Sequence, residues 1–237
     1  MFMNYITSYR FQEPDVSERE QHLWKKNAQS EFNRWAETYD QSILNHLLFH
    51  RCYLKFIELI LRFYPETDRT LRLLDVGCGT GTFASMLAST SLPVQPMGLD
   101  MAERMCQLAR EKSIQAGLER KVSFVTGDSE HLPFPDNTLD VITCSNSFHH
   151  YPHQEAVLGE FFRVLRPGGR VIIIDGYRDN VIGWLIFDVG VAKAEKSVHH
   201  CPAAEIHQML LNQHYTDVYQ EKFGFWCPVL ASSAKKP

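Results

Sequence analysis

The sequence predicts an α/β protein built on a mostly parallel sheet, and three observations predict it. Leu74-Asp75-Val76-Gly77-Cys78-Gly79-Thr80-Gly81 follows a short apolar run and precedes a helical stretch, so it reads as strand, glycine turn and helix start. From Leu71 to Ile174, short apolar runs alternate with helical segments, the pattern of successive β-α-β units with right-handed crossovers. The last two runs are joined closely at Gly224, which makes them an antiparallel pair at one edge.

The elements follow in order. Residues 1–16 are polar and aromatic without a clear period, open to disorder or to folding over a site. Ser17-Glu18-Arg19-Glu20 is a capping-box pattern that starts a helix running, with a break, to Trp35. Ile43, Leu44, Leu47, Leu48, Leu54, Ile57, Ile60 and Leu61 keep helical spacing until Pro65. Strands are expected at Leu71–Val76, Val94–Leu99, Val122–Val125, Leu139–Cys144 and Val171–Ile174, the last apolar throughout as a doubly covered central strand should be. Between them lie helices at Thr82–Thr90, Met101–Ala116 and His153–Leu165, with Pro167-Gly168-Gly169 turning the chain. Tyr177–His200 and Pro202–Asn212 read as helices, then Tyr215–Lys222 and Phe225–Ser232 as strands.

The 237 residues, 44% of them hydrophobic, suffice for one large domain with a full core. Net charge is −4 and no Lys/Arg cluster exceeds a pair, which argues against nucleic acid as the main partner. Six cysteines without C-x-x-C spacing fit a reduced, cytoplasmic setting. Met1–Arg10 has no basic start followed by an apolar stretch, so no leader is expected, and no apolar stretch is long enough to span a bilayer.

A glycine turn opening a helix presents free N–H groups and the positive end of a dipole to a ligand. It is also compatible with close helix–strand packing alone. The acids after it decide. Ligands of such sheets sit at the carboxyl ends of the strands. Asp100 closes the second strand about twenty residues past the glycines, where a carboxylate meets ribose hydroxyls; the alternative is a helix N-cap in Asp100-Met101-Ala102-Glu103. Asp128, followed by Ser129, closes the third strand, where it can accept from an exocyclic amine or merely shape a turn. Asp75 is a buried acid that needs a partner, either a cationic ligand group or N–H groups of the turn. The three acids suggest a nucleoside with a positively charged tail.

These residues, together with Leu132-Pro-Phe-Pro-Asp-Asn-Thr-Leu-Asp-Val-Ile142 and Leu165-Arg-Pro-Gly-Gly169, resemble the class I S-adenosylmethionine-dependent methyltransferases, most of all the small-molecule branch with the ubiquinone/menaquinone-biosynthesis methyltransferases. The resemblance covers about 100 residues with four motifs in order. It implies a Rossmann-like seven-stranded mixed sheet in order 3-2-1-4-5-7-6 with the last strand antiparallel, helices on both faces and an N-terminal helical cap. It divides one methyltransferase domain into a cap (1–68), a cofactor core (69–176), and lid helices with the strand pair (177–237). It implies that Asp75 and the turn Gly77-Cys78-Gly79, closed by Gly81, hold the methionine amino end of S-adenosyl-L-methionine. Asp100 would bind the ribose, Met101 the adenine, and Asp128 with Ser129 the adenine edge. Asn146 would lie near the methyl. Tyr39, in Phe32–Asp40, would cover the cofactor, a looser match that a core aromatic also explains.

In such chemistry the cofactor carries the reactive methyl and the protein aligns an acceptor, excludes water and supplies a base where the acceptor holds a proton. His149, after the fourth strand, is the candidate base; a brace for the next helix is the other reading, and His150 is a lesser candidate. His199-His200-Cys201 lacks a metal-ligand framework, so no metal is expected. Trp184, Ile186, Phe187 and Val191 suit a small apolar or aromatic acceptor, or ordinary core. The rival readings are a catalytically silent cofactor- or partner-binding module and an NAD-dependent oxidoreductase. The oxidoreductase would need a third glycine where Thr82 stands, and none of the nine tyrosines has Lys four residues on.

Overall fold

The computed structural model describes residues 18–35, 43–183, 186, 198–224 and 227–237. Two helices come first, α1 (Glu18–Trp35) and α2 (Ile43–Phe63). Then follow β1 (Leu71–Val76), α3 (Thr82–Ser89), β2 (Val94–Asp100), α4 (Glu103–Gln115), β3 (Ser123–Thr126), β4 (Leu139–Ser145), α5 (Gln154–Val164) and β5 (Leu165–Gly176). The chain ends with α6 (Ala203–Asn212), β6 (Thr216–Phe223) and β7 (Val229–Lys235). The sheet order is β3-β2-β1-β4-β5-β7-β6, with β1 to β5 parallel and β7 antiparallel to both of its neighbours.

Both sheet faces are apolar because both are covered. Alternate residues Leu71, Leu73, Val141, Ile172 and Ile174 pack under α2 and α3 against Cys52, Phe56, Leu59, Phe83 and Leu87. The intervening residues Leu74, Val76, Ile142, Cys144, Val171 and Ile173 face α5 and α6. Val157, Leu158, Phe161 and Val164 of α5 are fully buried, and each such side chain contributes roughly 1.5–3 kcal/mol. α2 therefore belongs to the core, whereas α1 lies beside α4 at the carboxyl end of the sheet. Among the described residues, no helix is long and apolar enough to cross a membrane.

Several expected boundaries move. α1 runs unbroken. Helix α5 stops at Val164, and Pro167-Gly168-Gly169 does not turn the chain out of the sheet. It forms a bulge inside β5, whose pairing with β4 jumps from Leu165↔Leu139 to Arg170↔Val141. A side chain at Gly169 would press on the Asp140 carbonyl at 2.9 Å, so the bulge needs glycine there. The terminal strands sit one to four residues later than expected at their starts, with β7 reaching Lys235. Of the expected 177–200 helix, the turn Val181–Gly183 and Ile186 are helical among the described residues; Trp184, Phe187 and Val191 lie outside the described residues, as do residues 1–16.

Candidate cofactor and acceptor site

The ends of β1 to β4 open into one cleft, bordered by Gly77, Gly79, Asp100, Met101, Asp128 and Ser129. Parallel strands all deliver their carboxyl ends to this side, which is why residues far apart in sequence meet here. The chain leaves β1 through Gly77, Gly79 and Gly81, with φ of 71°, 53° and 72°, values that favour glycine. Gly77 and Cys78 donate their N–H groups to the Leu99 carbonyl, which fastens the turn to β2.

Asp100 is the hinge of this arrangement. One carboxylate oxygen accepts the Gly79 N–H at 2.8 Å and the other accepts the Ala102 N–H at 2.9 Å. The alternative reading of Asp100 as the helix N-cap does not hold: Ala102, not Asp100, is the residue before the helix. Burial raises the Asp100 carboxyl above its ordinary value, against the two N–H groups that favour the charge. Asp75 is buried and does not border the cleft; the Thr143 hydroxyl donates to it at 2.9 Å. Its side-chain partner is thus a β4 hydroxyl rather than N–H groups of the turn. Burial pushes Asp75 up to about 7, opposed by the Thr143 bond and reinforced by the Asp100 charge. Cys78 and Gly81 shape the turn without bordering the cleft.

At the third strand, Asp128 and Ser129 border the cleft, and the Glu130 N–H donates to Asp128 at 3.0 Å. Asn146 stands past β4 with φ of 47° and donates to Ser145 Oγ at 3.1 Å. Tyr39 lies outside the described residues.

The histidines divide. His150 borders the cleft, its ring edge-on to Phe32 of α1 at 5.0 Å. His149 is buried behind it, with ring centroids 4.1 Å apart, and does not border the cleft. Its Nδ1 lies 2.6 Å from Asp175 Oδ1, and its N–H donates to Asp175 Oδ2 at 3.0 Å. On the other side His200 stacks at 4.2 Å. Burial would raise Asp175, but the His149 charge and hydrogen bond bring it down to about 2. Gln154 knits this corner, donating to the Phe148 and His199 carbonyls while accepting from Cys201 Sγ at 2.8 Å. His149, Asp175 and His200 also stand close enough to be weighed as metal ligands. The His149 and His200 rings lie only 19° from parallel, so their in-plane lone pairs do not converge on a point.

Sequence reasoning missed Asp175, Gln154, Thr143 and Lys25. Asp175 had a signal: Ile174-Asp175-Gly176 is an apolar run ending in an acid, as at Asp100. Gln154 and Thr143 had none, since His199 and Cys201 for the one and Asp75 for the other are distant in sequence.

The donor set suits a cation. Among the described residues, the cleft wall carries Asp100, Asp128 and Glu130 against one lysine and no arginine, a poor lining for a pyrophosphate and a good one for a sulfonium with an ammonium tail. The strand order, the glycine turn and the acids at successive strand ends are what the resemblance to the class I S-adenosylmethionine-dependent methyltransferases implies. Residues 74–173 match the family described as methyltransferase domain. The chain is similar to the demethylmenaquinone methyltransferases of Thermus thermophilus (36% identical over 148 residues, 61% of this chain and 63% of that protein) and Listeria monocytogenes (32% over 154 residues, 65% and 63%). It therefore spans about 63% of the length of these relatives. Magnesium protoporphyrin IX methyltransferase from Synechocystis PCC 6803, solved with bound S-adenosylhomocysteine, shares the fold with a TM-score of 0.72 at 15% identity, covering 90% of this chain and 100% of that one.

Proposed function

We propose that the chain transfers a methyl group from S-adenosylmethionine to a small apolar or aromatic acceptor by in-line displacement. The observation that carries this is the acid-lined cleft at the ends of β1 to β4. When bound, the cofactor supplies an electrophilic methyl on a sulfonium. Asp100 would accept the ribose hydroxyls while it holds the Gly79 turn in place. Asp128 and the Ser129 backbone would read the adenine edge, with Met101 against the ring. Asp75, Gly77 and Gly79 would hold the ammonium end, Cys78 and Gly81 would shape that turn, and Asn146 would border the methyl. Tyr39 would cover the cofactor. The chain would act as one domain with a cap (1–68), of which α2 packs on the sheet itself, a core (69–176) and a lid with the strand pair (177–237).

His149 is the proposed base, oriented by Asp175 through Nδ1. A phenol- or quinol-like ring fits this reading, because it yields a proton as it becomes the nucleophile, and the relatives' name points to the same chemistry.

The test is calorimetric titration with S-adenosylmethionine, S-adenosylhomocysteine and NAD(H), on wild type and Asp100→Ala, followed by turnover with a panel of demethylated quinols and phenols. The adenosyl ligands should bind with micromolar-range affinity that Asp100→Ala weakens. Binding of NAD(H) instead would sink the reading, and tight cofactor binding without turnover across the panel would leave a silent module.

A further inference from the structure

One face of α1 turns toward the cleft. Lys25, Gln29, Phe32 and Asn33 recur at helical spacing and all reach the cofactor side. Gln29 donates to the Met101 carbonyl at 2.8 Å, and the Asn33 side chain accepts the Arg104 N–H at 3.1 Å. Phe32 packs at Ala102 and Met105. Lys25 borders the cleft and places its ammonium 2.8 Å from both Asp128 Oδ2 and Glu130 Oε2. The adenine-end acids are thus joined to α1, which the family resemblance had left without an assigned residue before the Phe32–Asp40 segment.

We infer that Lys25 is a positioning residue for the cofactor, holding Asp128 ionised and aimed at the adenine amine while it fastens α1 over the cleft. The geometry makes this more than a surface ion pair. The Lys25 side chain is 23% exposed, and Asp128 and Glu130 are 37% and 11% exposed, so water screens the contact only partly. One Asp128 oxygen meets Lys25 and the other the Glu130 N–H, which fixes the plane of the carboxylate. Each oxygen keeps a further lone pair for a ligand amine. Burial alone would raise Asp128, but Lys25 keeps it below its ordinary value; burial would lower Lys25, but the two acids raise it. The groups facing Asp128 are Lys25 from α1, Glu130 and His131 from its own loop, the His131 ring at 3.9 Å, and, through Glu130 at 3.4 Å, His153 before α5.

The inference rests on the adenosyl-cofactor reading. Its test measures S-adenosylhomocysteine affinity for wild type, Lys25→Met and Lys25→Arg from about pH 7.5 down to about pH 5. Wild type sets the reference profile, which already weakens on acidification as Asp75 takes up its proton. Lys25→Met should bind about tenfold more weakly at neutral pH, the loss expected for one charged hydrogen bond. Its affinity should fall further on acidification, because a half-buried Asp128 without its cation titrates above the ordinary value of about 3.9. Lys25→Arg should restore both the affinity and the wild-type pH profile. Wild-type affinity in Lys25→Met, or a uniform loss that runs parallel to the wild-type pH profile, would overturn the inference, the second by reducing Lys25 to a helix fastening. Failure of wild type itself to bind S-adenosylhomocysteine would instead remove the cofactor reading, and this inference with it.

Discussion

His149 Nδ1 and Asp175 Oδ1 stand 2.6 Å apart, and the second oxygen of that carboxylate holds the His149 backbone N–H. One acid therefore fixes both the main chain and the ring of the histidine that follows β4. This is the arrangement an orienting carboxylate needs, since it favours a proton on Nδ1 and fixes the ring plane.

Asp175→Asn should lower turnover roughly a hundredfold or more, within the range by which a positioned base accelerates such steps, while S-adenosylhomocysteine affinity stays near wild type. Thermal unfolding checks the structural share. Asp175 is depressed to about 2 in the fold, so its contribution is present above the ordinary value of about 3.9 and is lost as pH falls toward about 2. The wild type's stability advantage over Asp175→Asn should accordingly shrink through that window. An advantage constant from neutral pH to about pH 2 would mean the carboxylate charge has no role.

Gly77→Ala should abolish cofactor binding and destabilise the fold, whereas Gly117→Ala should do neither to the same degree. Both glycines have positive φ, 71° and 67°, and a left-handed Ala costs about 1–2 kcal/mol at either. The difference is space. A Cβ at Gly77 would fall 2.0 Å from Ser147 Oγ, whose hydroxyl is bonded to Tyr151 at 2.7 Å, while a Cβ at Gly117 meets nothing within 4 Å. Calorimetry and melting curves on the two variants separate strain from collision; equal melting temperatures would contradict the argument.

The sheet was legible because its signals are local. Apolar runs such as Val171–Ile174 and helical stripes such as Val157, Leu158, Phe161 and Val164 announce covered strands and their covering helices. The motif acids were legible for the same reason: Asp100 and Asp128 end strands, and parallel strands end together. What was illegible depends on contacts between distant residues. Nothing near Asp75 in sequence names Thr143, 68 residues on, and nothing near Asp128 names Lys25, 103 residues before it. The bulge at Gly168-Gly169 looked like a turn because the same residues serve both, and only pairing with β4 distinguishes them.

Asp75 yields a prediction about protons. Its carboxyl is raised to about 7, so its contribution to the stability of the free protein is fully present below the ordinary value of about 3.9 and is lost as pH rises through about 7. A cationic ligand end held by Asp75 reverses the balance, because a nearby positive charge favours the carboxylate. Binding of S-adenosylhomocysteine at about pH 6 should therefore release a proton from most molecules, and at about pH 8 almost none. Titrations in two buffers of different ionisation enthalpy measure this directly as a buffer-dependent heat. Asp75→Asn should bind without the release. Asp100, also raised by burial, stays in place in that variant, so a release that persists in Asp75→Asn would reassign the proton to Asp100 and remove Asp75 from the ammonium site.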